Sequence, residues 1–115
     1  MNKLCVSPEA ARDLERIRQY IASELKNKAS ALRVVHSITR ELRILQRYPE
    51  AGPSLEALTG FPTDLRLLVC GPYVALYRTE GSTVFVSRVL NARQDYLRVL
   101  FDDSGEGEAP SGRFE

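Results

Sequence analysis

The 115-residue chain has one histidine and two cysteines, few of the residues from which zinc-type metal centres and histidine- or cysteine-based catalytic sites are built. Cys5 and Cys70 stand in apparent strands, where buried free thiols are common, and no Cys-x-x-Cys or Cys/His cluster accompanies them. No disulfide, metal site or cofactor is expected. His36 lies beside Leu32 and Val35 on a helical stripe, a setting in which histidine more often packs or is solvated than catalyses. Without a second histidine or a serine or cysteine motif, a triad lacks its parts. Gly71 and Gly81 read as turn residues, so no glycine-rich phosphate loop is present. Asp64, Glu80 and Asp95 fall near turns or ends, which leaves the strand region without paired carboxylates. No apolar run approaches the roughly 20 residues of a membrane span, and the N-terminus lacks a signal-peptide core. The expectation is a cytoplasmic protein with no membrane partner.

What the chain does have is a dense β-forming stretch from Leu65 to Phe101. It reads LRLLVC, then Gly71-Pro72, YVALYR, a turn at Glu80-Gly81-Ser82, TVFVSRVL and NARQDYLRVLF. Glycine and proline supply the backbone angles that tight turns need, and such short links join antiparallel neighbours. Period-2 alternation places Val74, Leu76 and Arg78 on one face and Tyr73, Ala75 and Tyr77 on the other. In the next run Val84, Val86 and Arg88 alternate with Phe85, Ser87 and Val89.

Ahead of this stretch, Lys3 to Val6 reads as a first strand. Ser7-Pro8-Glu9 then opens a helix, with serine as N-cap, proline at the first helical position and an acid in the first turn. Ala10, Leu14, Ile17, Ile21 and Leu25 form its apolar stripe. After a break at Lys26-Asn27-Lys28, a second helix carries Leu32, Val35, Ile38, Leu42, Leu45 and Tyr48, and Pro49 ends it. Two amphipathic helices need a surface to bury against, and one face of the sheet is the surface available. The fold expected is a two-layer α+β domain, β-α-α-β-β-β, with the N-terminal strand and a helical hairpin packed on one face of a mostly antiparallel sheet. Leu14, Ile17, Ile38, Leu42, Leu76 and Val86 are the expected layer between helices and sheet. The segment from Pro49 to Asp64 reads as a link crossing the sheet edge.

Charge is unevenly spread. Residues 102–115 hold five acids and one base, so 1–101 keep 15 basic and ten acidic residues, a balance of +5. That suits an acidic partner without requiring nucleic acid. The folded domain is expected over 1–101, and 102–115 as a disordered acidic tail, too poor in apolar residues to offset its ordering entropy. The polar residues left for function are Arg66, Tyr73, Tyr77, Arg78, Arg88, Arg93, Tyr96 and Arg98. Arginine and tyrosine are favoured at interaction hot spots and against acidic or nucleic partners, although strand tyrosines commonly pack and single strand arginines are commonly solvated. Chemistry alone leaves a binding module and an enzyme both open.

Four segments in order resemble the RelE/ParE superfamily of toxins from type II toxin–antitoxin pairs. They are SPEAARDLERIRQYIA, RYPEAGPS, LRLLVCGPYVALYR and RVLNARQDYLRVLF. The resemblance is greatest to the ParE branch, through Ser7, Pro8, Ala10, Asp13, Leu14, Ile17, Tyr20 and Ile21, then Leu65, Arg66, Leu68, Gly71, Tyr73, Tyr77 and Arg78. It implies a helical hairpin on an antiparallel sheet, a cognate antitoxin that neutralises the chain, and DNA gyrase as a target poisoned by binding. Target-binding candidates are Arg66, Arg78, Arg88, Arg93, Tyr96 and Arg98. The RelE branch implies a ribosome-dependent mRNA endonuclease instead, for which Arg93 and Tyr96 would be catalytic. This chain departs from that branch: Val74 follows Tyr73 where an arginine is usual, Arg66 is the one base on its strand, and Asn91 stands where many relatives have histidine. Metal-free RNA cleavage needs charge around the phosphate and a group to move protons. A member that binds a partner and harms nothing is the third reading.

The tail generates the first prediction. Removing residues 104–115 should leave the thermal unfolding midpoint of the purified protein nearly unchanged; a loss of several degrees would show that the tail docks on the domain.

Overall fold

A computed structural model describes residues 1–24 and 26–92. Leu25, Arg93, Tyr96, Arg98 and the expected tail therefore lie outside the described residues. The elements are β1 (Lys3–Val6), α1 (Pro8–Glu24), α2 (Lys28–Arg47), α3 (Leu55–Thr59), β2 (Arg66–Cys70), β3 (Tyr73–Glu80) and β4 (Thr83–Asn91). The sheet order is β1-β4-β3-β2. β2, β3 and β4 pair antiparallel, and β1 lies parallel to β4. The α+β expectation, with both helices ahead of a mostly antiparallel sheet, holds.

The helices begin where the sequence indicates. Ser7 Oγ accepts from the Ala10 N–H at 3.0 Å. Asn27 caps α2 by accepting from Ser30 N–H at 3.0 Å, directly after Lys26 turns the chain with φ 52°. Ala10, Ile38, Leu42, Leu45, Leu68, Ala75, Tyr77, Val84, Val86 and Val89 make the core between helices and sheet, with Leu14 and Ile17 packed against it. Two stripe residues expected inside are outside: Leu32 is 53% exposed and Tyr48 60%. Ala31, about 100° round the helix from Leu32, takes the inward position instead and is buried.

The opposite face of the sheet is covered too. Leu76 is buried as expected but on this second face, with Leu55, Leu67, Val74 and Leu90. Strand parity dictates that side, because Leu76 shares it with Val74. Its cover is the 49–65 segment, which is more than a link: Ser54 caps α3 by accepting from Ala57 N–H, and Gly60 closes it at φ 78°. Leu55 N–H donates to Leu65 O at 2.9 Å, and Leu67 N–H to Pro53 O at 3.0 Å. Buried Tyr77 reaches under this segment, its hydroxyl donating to Pro49 O at 2.9 Å and accepting from Gly52 N–H at 3.0 Å. Gly52 is needed there, since a Cβ would stand 2.4 Å from Leu67 O.

β4 does not keep the alternation its sequence suggests. Leu76 pairs with Arg88 but Tyr77 with Val86, so Ser87 is an extra, bulged residue. The bulge resets the parity, and Val89 rejoins Val84 and Val86 in the helix-side core. At the same place β4 loses its β1 neighbour, since β1 ends at Val6. Helix α1 takes over. Ser7 N–H donates to Val86 O at 3.0 Å and Ser7 Oγ to Ser87 O at 2.9 Å. Asp13, 2% exposed, accepts from Val89 N–H at 2.9 Å and from the Arg88 fork at 2.7 and 2.9 Å.

Two substitutions test this packing. Leu42→Ala should cost on the order of 2–5 kcal/mol in denaturant unfolding. Asp13→Ala strands the Arg88 guanidinium and the Val89 N–H together, and should cost about 3–5 kcal/mol. A loss below 1 kcal/mol in the second would mean that water replaces the carboxylate without penalty.

Candidate functional site

Asp13 also sets the frame of a cleft of about 400 Å³ between α1 and the strands. Residues three, four and seven positions on from it share its helix face, and Arg16, Ile17 and Tyr20 accordingly line one wall. Tyr73, Val89, Leu90 and Asn91 line the other. Arg16 Nη1 donates to Asp13 Oδ1 at 3.1 Å, yet 68% of its side chain stays exposed. The guanidinium therefore has further donors free to face a ligand. Tyr20 is 62% exposed. Burial, with Tyr20 nearby, raises the Tyr73 phenol above its usual pKa, so it is a hydrogen-bond donor and not a phenolate at neutral pH.

The cleft is equipped to bind more than to move protons. A carboxylate has about four acceptor sites. Asp13 receives four donors: two from Arg88, the Val89 N–H and Arg16. No lone pair remains for a general base. His36 lies exposed on α2 and takes no part in the cleft lining. Cys70 is buried with its thiol pushed up to about 11, by burial first and by the Glu41 charge second, which leaves it protonated and inert. Among the described residues no group of three or more His, Cys, Asp or Glu could hold a metal ion. No described helix is long and apolar enough to cross a membrane.

The candidate arginines are dispersed. Arg66 donates through Nε to Gly52 O at 2.8 Å and through Nη2 to Glu50 O at 3.4 Å, and so ties β2 to the segment before α3. Arg78 pairs with Glu80 at 3.1 Å and stacks over Phe85 with 4.9 Å to the ring centre. Arg88 grips Asp13. These three are not brought together in one cluster, and the cleft lining includes none of them. Arg16 and Tyr20 are not among the site candidates the sequence offers. The signal for Arg16 is indirect: Asp13 is an acid within the apolar stripe of α1, and a buried acid calls for cationic partners.

The comparisons agree with this architecture. The chain resembles a structure described as the chromosomal ParDE TA system from P. aeruginosa, with a TM-score of 0.67 and 25% identity over 79% of this chain and 96% of that one. A search of curated proteins gives no match. The family described as the ParE toxin of the type II toxin–antitoxin system, parDE, matches residues 4–96. With most of its length matched, β1 through β4 included, the chain belongs to the ParE toxin family.

Proposed function

We propose that this chain inhibits DNA gyrase by binding it and is neutralised by a cognate antitoxin. The observation that carries the reading is the character of the cleft, whose described lining offers donors and rigid aromatic area while its one carboxylate, Asp13, is occupied by four donors. Arg16, Tyr20 and Tyr73 present guanidinium and phenol groups at the cleft. In sequence, Arg93, Tyr96 and Arg98 follow Asn91 by two, five and seven residues and are of the same chemical types. Such groups anchor interfaces by forked hydrogen bonds and buried aromatic area. In this reading Arg88 supports the cleft through Asp13, while Arg66 and Arg78 lie apart from it, on the Gly52 loop and against Glu80 and Phe85.

The endonuclease alternative has less support. Val74, directly after Tyr73, is 3% exposed and packs into the second core, so no cation stands there. On β2, Leu67 and Leu68 are buried and the single base is occupied with loop carbonyls. Metal-free cleavage requires charge stabilisation at the scissile phosphate together with proton transfer.

Protein freed of antitoxin should inhibit supercoiling by purified gyrase or trap its cleaved complex. Arg93→Ala and Tyr96→Ala should each weaken that effect about tenfold, the scale of an interface hot spot, while circular dichroism shows the fold intact. Messenger RNA on translating ribosomes should stay uncut. Codon-positioned cuts with gyrase unaffected would make the chain a nuclease, and neither effect in folded protein would make it a non-toxic binding member.

A further inference from the structure

The two helices treat their arginines differently. On α1, Arg12 pairs with Glu9, Arg16 with Asp13 and Arg18 with Glu15, each three residues back. On α2, Arg33, Arg40, Arg43 and Arg47 are all exposed, and none has an ion-pair partner among the described residues. Arg33 donates only to the neutral Ser30 hydroxyl, at 3.1 Å. Glu41 is the sole acid on this helix, and it is half-buried on another side. At 100° per residue the four arginines, with exposed His36 among them, fall within about 80° of arc. That arc faces away from the buried residues Ile38 and Leu42. Like charges three and four residues apart, as in Arg40, Arg43 and Arg47, destabilise a helix slightly. The fold itself gives no return for that arrangement.

The row runs 14 residues, about 21 Å at 1.5 Å per residue. Along one strand of a duplex, phosphates recur about every 3.4 Å of axis, so the row spans roughly six of them. All four cations are arginine, whose planar fork fits phosphate oxygens where a solubilising surface would do as well with lysine. An acidic protein partner would want apolar anchors spaced along the same line. Exposed apolar groups stand only at the two ends of the row: Leu32 beside Arg33, and Ile44, Tyr48 and Met1, which gather with Arg40, Arg43 and Arg47 around one shallow groove; between Arg33 and Arg40 the outward positions are His36 and Ser37. We infer that the outer face of α2 is a sequence-independent binding surface for the phosphate backbone of duplex DNA. The inference does not depend on what the cleft recognises.

The test is fluorescence anisotropy of a labelled 20-base-pair duplex of arbitrary sequence with the full-length protein, from 50 to 200 mM salt and without gyrase. Four phosphate contacts predict a slope of log K against log salt near about −3.5, and each contact removed should make it shallower by about 1. Arg40→Ala, Arg43→Ala and Arg47→Ala should each do so, whereas Arg43→Lys should keep the slope. Arg12→Ala and Arg18→Ala, on α1, should leave it unchanged. All these side chains are at the surface, so the variants should fold, which circular dichroism checks. No binding at 50 mM salt would overturn the inference, as would a slope that α1 and α2 variants lower equally. Poly-glutamate of matched charge, bound more tightly than the duplex and lost in the α2 variants, would instead assign the face to an acidic protein.

Discussion

The carboxylate of Asp13 is the point on which the two layers depend. β4 runs from Thr83 to Asn91, but β1 covers it only as far as Val86. Beyond that, the outer edge of β4 would present backbone groups with no strand to meet them, and buried backbone groups left unpaired are costly. Ser7 and Asp13 on the incoming helix supply the missing partners. The same contacts fix where α1 crosses the sheet, and with it the face bearing Arg16, Ile17 and Tyr20. A charge buried this deeply is tolerated because Arg88 meets it with two forked bonds. The bulge at Ser87 lies where the neighbour of β4 changes from strand to helix.

The second face of the sheet follows a different logic. Among the described residues no long helix covers it, and the 49–65 segment does so with few apolar residues, chiefly Leu55 with Phe61 and Leu65 at its border. Such a cover needs polar fastening. Tyr77 provides it from within the sheet and Arg66 from the edge strand, both acting on the backbone around Gly52. Two residues that resemble binding groups in the sequence therefore hold the fold together.

Period and punctuation made most of the architecture legible. Ser7-Pro8-Glu9, the Lys26–Lys28 break, Pro49 and the turns at Gly71 and Gly81 mark element boundaries that the structure keeps. What was not legible depends on partners distant in sequence. A bulge leaves no mark in the alternation, because SRVL reads equally well with or without it, and only the register against β3 reveals that Ser87 is extra. Leu32 looks like a core residue until Ala31 is found inward of it. The five residues of α3 lie in a stretch rich in proline and glycine, where Ser54 and Gly60 were the only signs of a capped helix. The site was less legible than the fold. Asp13, Arg16 and Tyr73 meet only because α1 crosses the sheet at that angle, and single-element patterns do not encode the angle.

The arginines of this chain divide by whether the fold satisfies them, and that division bears on function more directly than their number. Arg66 and Arg88 spend their donors on carbonyls and a buried carboxylate. Arg16 spends part of its fork on the same carboxylate and keeps the rest at the cleft mouth. The α2 arginines have no carboxylate partner among the described residues. Asp13, the one carboxylate among the described residues lining the cleft, is occupied by four donors. Fixed donors of this kind suit contact with an acidic or phosphate-bearing group, and those the fold leaves unsatisfied mark where such a contact would form.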